Sequence, residues 1–143
     1  MGPLDDYLPY LLNRAGTRIA FAFAADMRPL GATLQMWRVL AALRETDGLP
    51  MGDLSATTSI KISTLTRLVD GMAGRRLVVR RRAPHDARVV LLHVTAEGRR
   101  LTRKILPVAE RYEQVALHGF SSTEAKILKA ALRRLYANMG RLK

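Results

Sequence analysis

The sequence predicts a mainly α-helical fold with one small β-hairpin set into it. Three observations carry this expectation. Apolar residues recur at three- and four-residue steps over most of the chain, the period of an amphipathic helix. Between residues 77 and 94 that period gives way to two runs rich in β-branched side chains around a turn. Proline, glycine and cap-type residues mark most of the joints between periodic segments.

From Asp6 to about Ala25, Leu8, Leu11, Leu12, Ala15, Ile19, Ala22 and Phe23 mark a first helix, which Pro29 and Gly31 end. Thr33 is placed to cap a second helix carrying Leu34, Trp37, Leu40, Ala41 and Arg44, and Asp47-Gly48-Leu49-Pro50 reads as a turn. Two short helices follow, at about 51–57 and 61–74, joined by Thr58-Ser59-Ile60. The runs Leu77–Arg82 and Val89–Val94 flank Ala83–Arg88, a hairpin with Pro84 and Asp86 in its turn. Thr95 is placed to cap a long helix with Glu97 in its first turn and Leu101, Ile105, Val108, Tyr112 and Val115 as its stripe. Pro107 is expected to kink that helix, because it lacks the N–H that the ladder needs. Ser121-Ser122-Thr123-Glu124 has the form of a capping box before a last helix bearing Ile127, Leu128, Ala131, Leu132, Leu135 and Met139.

The 143 residues suffice for one hydrophobic core, so residues 1–143 are expected to form a single domain. There is no cysteine, which excludes disulfides, thiolate metal sites and cysteine redox chemistry. No apolar run approaches the roughly 20 residues needed to span a bilayer. The N-terminus has no basic flank before an apolar stretch, so a cytoplasmic location is expected. The net charge of +12 is concentrated: residues 59–104 carry 12 of the 24 Lys and Arg but only Asp70, Asp86 and Glu97 among the acids. That third of the chain is +9, against +3 for the other 97 residues. Phosphate neutralisation requires such a concentration, whereas an idle solvated face does not.

Two short helices followed by a basic hairpin is the order of a winged helix-turn-helix. The segments Trp37-Arg38-Val39-Leu40, Ser63-Thr64-Leu65-Thr66-Arg67-Leu68-Val69-Asp70, Asp86-Ala87-Arg88 and Val94-Thr95-Ala96-Glu97-Gly98-Arg99-Arg100-Leu101 resemble the MarR family in sequence and spacing. The most specific part is Asp86-x-Arg88 followed, after five residues, by Val94-Thr95. The resemblance covers about residues 30–105. It implies a DNA-binding region at about 33–95, flanked by dimerisation helices at about 4–28 and 96–143. It also implies a homodimer on double-stranded operator DNA, an inverted repeat with half-sites roughly 10 bp apart. Repression relieved by a small aromatic acid or phenol is the behaviour expected by the same resemblance. Four departures stand out. Lys61 takes the place of a capping Ser, so the cap is lost or moved to Ser59. Thr58-Ser59 replaces a Leu-Gly turn, Ala87 replaces a wing Arg, and Arg75-Arg76 lacks a helix-ending Gly, a part Gly74 is placed to take.

In the segment 60–74, Ile60, Leu65, Leu68, Val69 and Met72 fall on one face and are expected inside. Lys61, Ser63, Thr64 and Arg67 fall mostly opposite. Arg67 and Thr64 are the expected base readers, because a guanidinium matches guanine O6 and N7 and a hydroxyl serves a base or a phosphate; Lys61 and Ser63 are expected near phosphate. Arg75 and Arg82 are further phosphate candidates, and Arg88 is the candidate for the minor groove. Asp86 has the wrong charge for DNA and is expected to brace the wing through Arg88 or Arg82. By the resemblance alone, Arg14 and Arg18 are the expected carboxylate partners of a ligand lying against Met36 and Trp37. His85, His93 and His118 show no metal-ligand spacing, so neither metal nor cofactor is expected.

Other functions fit less well. There is no phosphate-binding glycine loop, nucleophile elbow or zinc signature, so an enzyme is not expected. An RNA module lacks aromatic platforms near the basic segment. A constitutive or architectural DNA-binding protein that senses no ligand stays open.

Overall fold

The computed structural model describes residues 2–142, which form two compact units, one ending at Glu110 and the other beginning at Arg111. The elements run α1 (Leu8–Met27), α2 (Leu34–Glu45), β1 (Leu49–Pro50), α3 (Met51–Thr58), α4 (Ile62–Gly74), β2 (Val78–Ala83), β3 (Asp86–Val94), α5 (Ala96–Ala116) and α6 (Ser122–Met139). Single 3-10 turns precede and follow α1, at Leu4–Asp6 and Arg28–Leu30. No helix among the described residues is long and apolar enough to cross a membrane.

The core of the first unit is built from Met27, Val39, Leu40, Leu43, Leu54, Leu65, Val69, Met72, Leu92 and Ile105, all fully buried. Ile60 and Leu77 join them, which places the entry to α4 and the exit from it against the same core. Thr33 caps α2 as its sequence position demands, its Oγ1 accepting from the Met36 N–H at 3.2 Å. Gly31 ends the preceding 3-10 turn at φ 72°, a left-handed value that glycine adopts without penalty.

The sheet has three strands in the order β1-β3-β2, all antiparallel. Leu49–Pro50, expected only as a turn, also forms the short edge strand β1 against Leu91 and Leu92. A proline is tolerated there because an edge strand has a side that needs no donor. The hairpin is tighter than expected: β3 begins at Asp86, leaving Pro84 and His85 as the tip. Register runs from Val78 opposite Val94 to Arg82 opposite Val90, then shifts before Ala83 meets Asp86.

The end of α4 corrects one expectation. Gly74 is the last helical residue, and the left-handed position falls on Arg76, at φ 61°. Leu77 N–H donates to the Met72 carbonyl at 3.0 Å and Arg76 N–H to the Ala73 carbonyl at 2.9 Å, the two bonds of a Schellman motif. Met72 and Leu77 are both buried, so the hydrophobic contact usual to that motif is available here. Thr95 joins this turn to α5. Its hydroxyl lies 2.6 Å from the Arg76 carbonyl and 3.0 Å from that of Leu77, and it accepts from the Gly98 N–H at 3.0 Å to cap the helix. α5 continues through Pro107 to Ala116.

In the second unit Ser121 and Glu124 form both bonds of the expected capping box. Glu113 pairs with Lys129. No residue of α6 is buried, and Ile127, Leu128, Leu132, Tyr136 and Met139 are exposed.

Candidate nucleic-acid interface

The helix-turn-helix is built by two local devices. Ser59 turns the chain between α3 and α4 at φ 58°. Ser55 Oγ donates to the Ile60 carbonyl at 2.6 Å and Thr58 Oγ1 to the Leu54 carbonyl at 2.7 Å, which satisfies carbonyls in and beyond the last turn of α3. With Leu65, Val69 and Met72 buried and Leu68 half-buried, α4 presents its other face to solvent. Lys61 stands at the N-cap without a side-chain cap bond, and Ser59 does not replace it, so the cap is lost rather than moved.

Lys61, Ser63, Thr64 and Arg67 are all exposed, and none makes a side-chain hydrogen bond or ion pair among the described residues. Their donors are therefore unoccupied. The acid on this helix, Asp70, is taken up by Arg80 of β2, Nη2 to Oδ1 at 2.5 Å.

The wing holds its own charges in order. Asp86 accepts from the Arg88 backbone N–H and Nε, each at 3.0 Å, and from Nη2 at 3.2 Å. The Arg88 guanidinium, with the backbone N–H beside it, keeps the Asp86 carboxyl below its ordinary range. The Arg88 side chain nonetheless stays 91% exposed, so Asp86 orients it without covering it. Of the two partners open to Asp86 on sequence grounds, Arg88 is the one it takes. Arg82 donates instead to the Ala87 carbonyl at 2.5 Å, across the hairpin.

Arg75, a phosphate candidate on sequence, is engaged elsewhere. Its Nη1 donates to the Gly31 carbonyl at 2.7 Å and lies 3.7 Å from Met36 Sδ, binding the end of α4 to the start of α2. None of the described pockets holds all four ligand candidates. Arg14 lies over the Tyr10 ring at 5.3 Å, and Arg14 and Arg18 border an open groove lined by α1 residues alone. Met36 is buried, and Trp37, half-buried, meets Phe23 edge-on at 6.3 Å.

A better-formed pocket of about 270 Å³ lies between α2, the Asp47 turn, the end of β3 and α5. Leu40, Leu43, Val94 and Leu106 supply its apolar wall, while Arg44, Arg99 and Arg103 supply charge. At its edge Asp47 accepts from the Val94 N–H at 2.8 Å, meets His93 Nδ1 at 3.1 Å and lies 4.0 Å from an Arg99 nitrogen. Partial burial works against the Asp47 charge. The Val94 and Gly48 N–H groups and the His93 ring outweigh it and hold the carboxyl below its ordinary range. Sequence spacing carries no trace of this cluster, since Asp47 and His93 are 46 residues apart.

The sequence profile of the MarR family matches residues 30–89. Over 99 residues, 69% of this chain and 68% of the relative, the chain is 31% identical to YsmB of Bacillus subtilis, an uncharacterized HTH-type transcriptional regulator. A MarR-family regulator from Silicibacter pomeroyi shares the fold with a TM-score of 0.87 at 30% identity, covering 99% of this chain and 94% of that one. CouR from Rhodococcus jostii RHA1, solved with p-coumaroyl-CoA, gives a TM-score of 0.87 at 27% identity over 94% of this chain and 95% of its own. The repressor CouR on a 23-mer DNA duplex gives 0.79 at 27%, over 99% and 97%. The free basic face of α4, the braced wing and these likenesses agree: the chain belongs to the MarR family of DNA-binding transcriptional regulators.

Proposed function

We propose that the chain is a homodimeric repressor that reads an inverted-repeat operator and is released by a small amphipathic anion. The observation that carries this is the face of α4, where Lys61, Ser63, Thr64 and Arg67 stand exposed with no partner among the described residues. On this reading α4 enters the major groove, with Arg67 and Thr64 on base edges and Lys61 and Ser63 near phosphate. Arg88 reaches the flanking minor groove, and Arg82 adds charge beside the backbone. Arg75 is left to its contact with Gly31.

Dimerisation is supported by apolar side chains that stay exposed among the described residues. On α1 these include Leu8, Leu11, Leu12, Ile19 and Phe21; on α6 they include Ile127, Tyr136 and Met139. A soluble chain rarely leaves so many exposed without a partner surface. Half-sites roughly 10 bp apart follow from two recognition helices in successive major grooves. For the ligand, the pocket under Arg44, Arg99 and Arg103 suits an aromatic acid better than the dispersed set Arg14, Arg18, Met36 and Trp37. An aromatic body fits the leucine wall and a carboxylate the arginines. CouR, solved on a DNA duplex and with p-coumaroyl-CoA, supports a reading in which this fold meets both DNA and a ligand with an aromatic group.

The test is titration of the purified chain on the duplex flanking its own gene, with excess random duplex, over a salt series. Competitor-resistant binding is expected, with log K falling against log salt at a slope of roughly −5 to −9 as about 6–10 phosphates are neutralised. Benzoate, cinnamate or their hydroxylated forms are expected to weaken it. Binding that survives every acid tested favours a constitutive repressor, and affinity no greater than for random duplex contradicts the operator reading.

A further inference from the structure

We infer that Ile62 is a specificity-determining residue that reads a thymine methyl group in each half-site. The inference rests on the reading of α4 as the helix in the major groove.

The exposed large apolar side chains of the described residues are distributed unevenly. All but two belong to residues 4–21 or 115–142. The exceptions are Val90, at 37% exposure, and Ile62, at 54%. The terminal groups are accounted for by self-association, but Ile62 stands apart from them at the first helical position of α4, between Lys61 and Ser63. It adds little to the fold there. A β-branched residue is a poor helix former, and more than half of its surface remains in water.

The first turn of a recognition helix is the part that reaches base edges. In the major groove the thymine C5-methyl is the apolar group, and a branched aliphatic side chain is its natural complement. One turn further along, Thr66 Oγ1 donates to the Ile62 carbonyl at 2.8 Å. That commits the Thr66 hydroxyl proton to the helix itself, so neither Ile62 nor Thr66 offers a base edge a side-chain hydrogen. At Ile62 and Thr66 this flank of α4 therefore offers a branched aliphatic side chain and no side-chain donor, beside the donors Ser63 and Arg67. Methyl recognition is the discrimination such a flank can supply.

The experiment begins with an operator selected from a randomised duplex library by the purified full chain. Each thymine is then replaced in turn by deoxyuridine, which lacks only the methyl group, and Kd is measured for the wild type, Ile62→Ala and Arg67→Ala. At one position in each half-site the wild type is expected to lose about three- to five-fold in affinity, the worth of one buried methyl. Ile62→Ala should bind both duplexes alike at that position, whereas Arg67→Ala should keep the thymine preference. The melting temperature of Ile62→Ala, set beside the wild type's, shows that the variant is folded. A methyl penalty absent from every thymine, or one that persists in Ile62→Ala, overturns the role of Ile62 while leaving operator binding intact. A library from which nothing is enriched overturns the operator reading and Ile62's role together.

Discussion

Arg80 of β2 and Asp70 of α4 meet at 2.5 Å, Nη2 to Oδ1, joining the first strand of the wing to the helix proposed to face DNA. The pair neutralises the acid on that helix and links the two parts of the interface. Both side chains are well exposed, at 36% and 61%, so the bond orients far more than it stabilises. A double-mutant cycle of Arg80→Ala and Asp70→Asn in urea unfolding is expected to give a coupling of about 0.2–1 kcal/mol, shrinking at high salt.

The left-handed turn at Arg76 leads to a second expectation. A residue with a Cβ is disfavoured in that conformation, whereas Gly74, two residues too early, has helical geometry and no neighbour within 4 Å of an added Cβ. Gly74→Ala and Arg76→Gly are each expected to stabilise the protein by about 0.5–1 kcal/mol, and together by nearly the sum, read as an upward shift in Tm. If Arg76→Gly lowers Tm, the Arg76 side chain contributes more to the fold than its backbone conformation costs.

Gly98 makes the opposite case. A Cβ there would lie 2.1 Å from the Leu77 carbonyl oxygen and 2.7 Å from Val94 Cγ2. The oxygen belongs to backbone held by Thr95 N–H at 3.1 Å, so it cannot readily move aside. Helix propensity favours alanine by up to about 1 kcal/mol, but overpacking against fixed backbone outweighs it. Gly98→Ala is expected to cost at least about 2 kcal/mol in urea unfolding.

Asp47 predicts an acid dependence. Its folded pKa lies below the ordinary 3.8, so the unfolded chain takes up its proton first as pH falls. Its contribution is complete well above that value and is lost as pH drops through the folded pKa. Asp47→Asn is expected to flatten the fall in unfolding free energy below about pH 4, measured from pH 6 to 2.5. An unchanged slope would mean that the carboxylate is not held by Val94 and His93 in solution.

What was legible in the sequence was local. Thr33, Thr95 and the Ser121–Glu124 box announce their helices because a cap and its helix lie within three residues of each other. The inward face of α4 follows from its period in the same way. What was hidden depends on partners remote in sequence. β1 is two residues long and exists because Leu91 and Leu92 lie beside it. The bond from Arg75 Nη1 to the Gly31 carbonyl, 44 residues upstream, has no signal in the local pattern. Gly74 was the obvious residue to end α4, yet the buried seat of Leu77 sets the exit one Schellman turn later, on Arg76. Arg14, Arg18, Met36 and Trp37 are grouped by family resemblance alone; Arg14 and Arg18 line a groove on α1, and Met36 is buried.

The most direct test of base reading by α4 is the ratio of operator to random-duplex affinity for Arg67→Ala, set beside Arg88→Ala. A guanidinium on a guanine edge is worth about 1–3 kcal/mol of discrimination, so Arg67→Ala should lower operator affinity by about five- to 150-fold. Random-duplex affinity should fall far less, so the ratio collapses, while Arg88→Ala should lower both affinities in parallel. Equal losses on operator and random duplex for Arg67→Ala would contradict base reading by that face of α4.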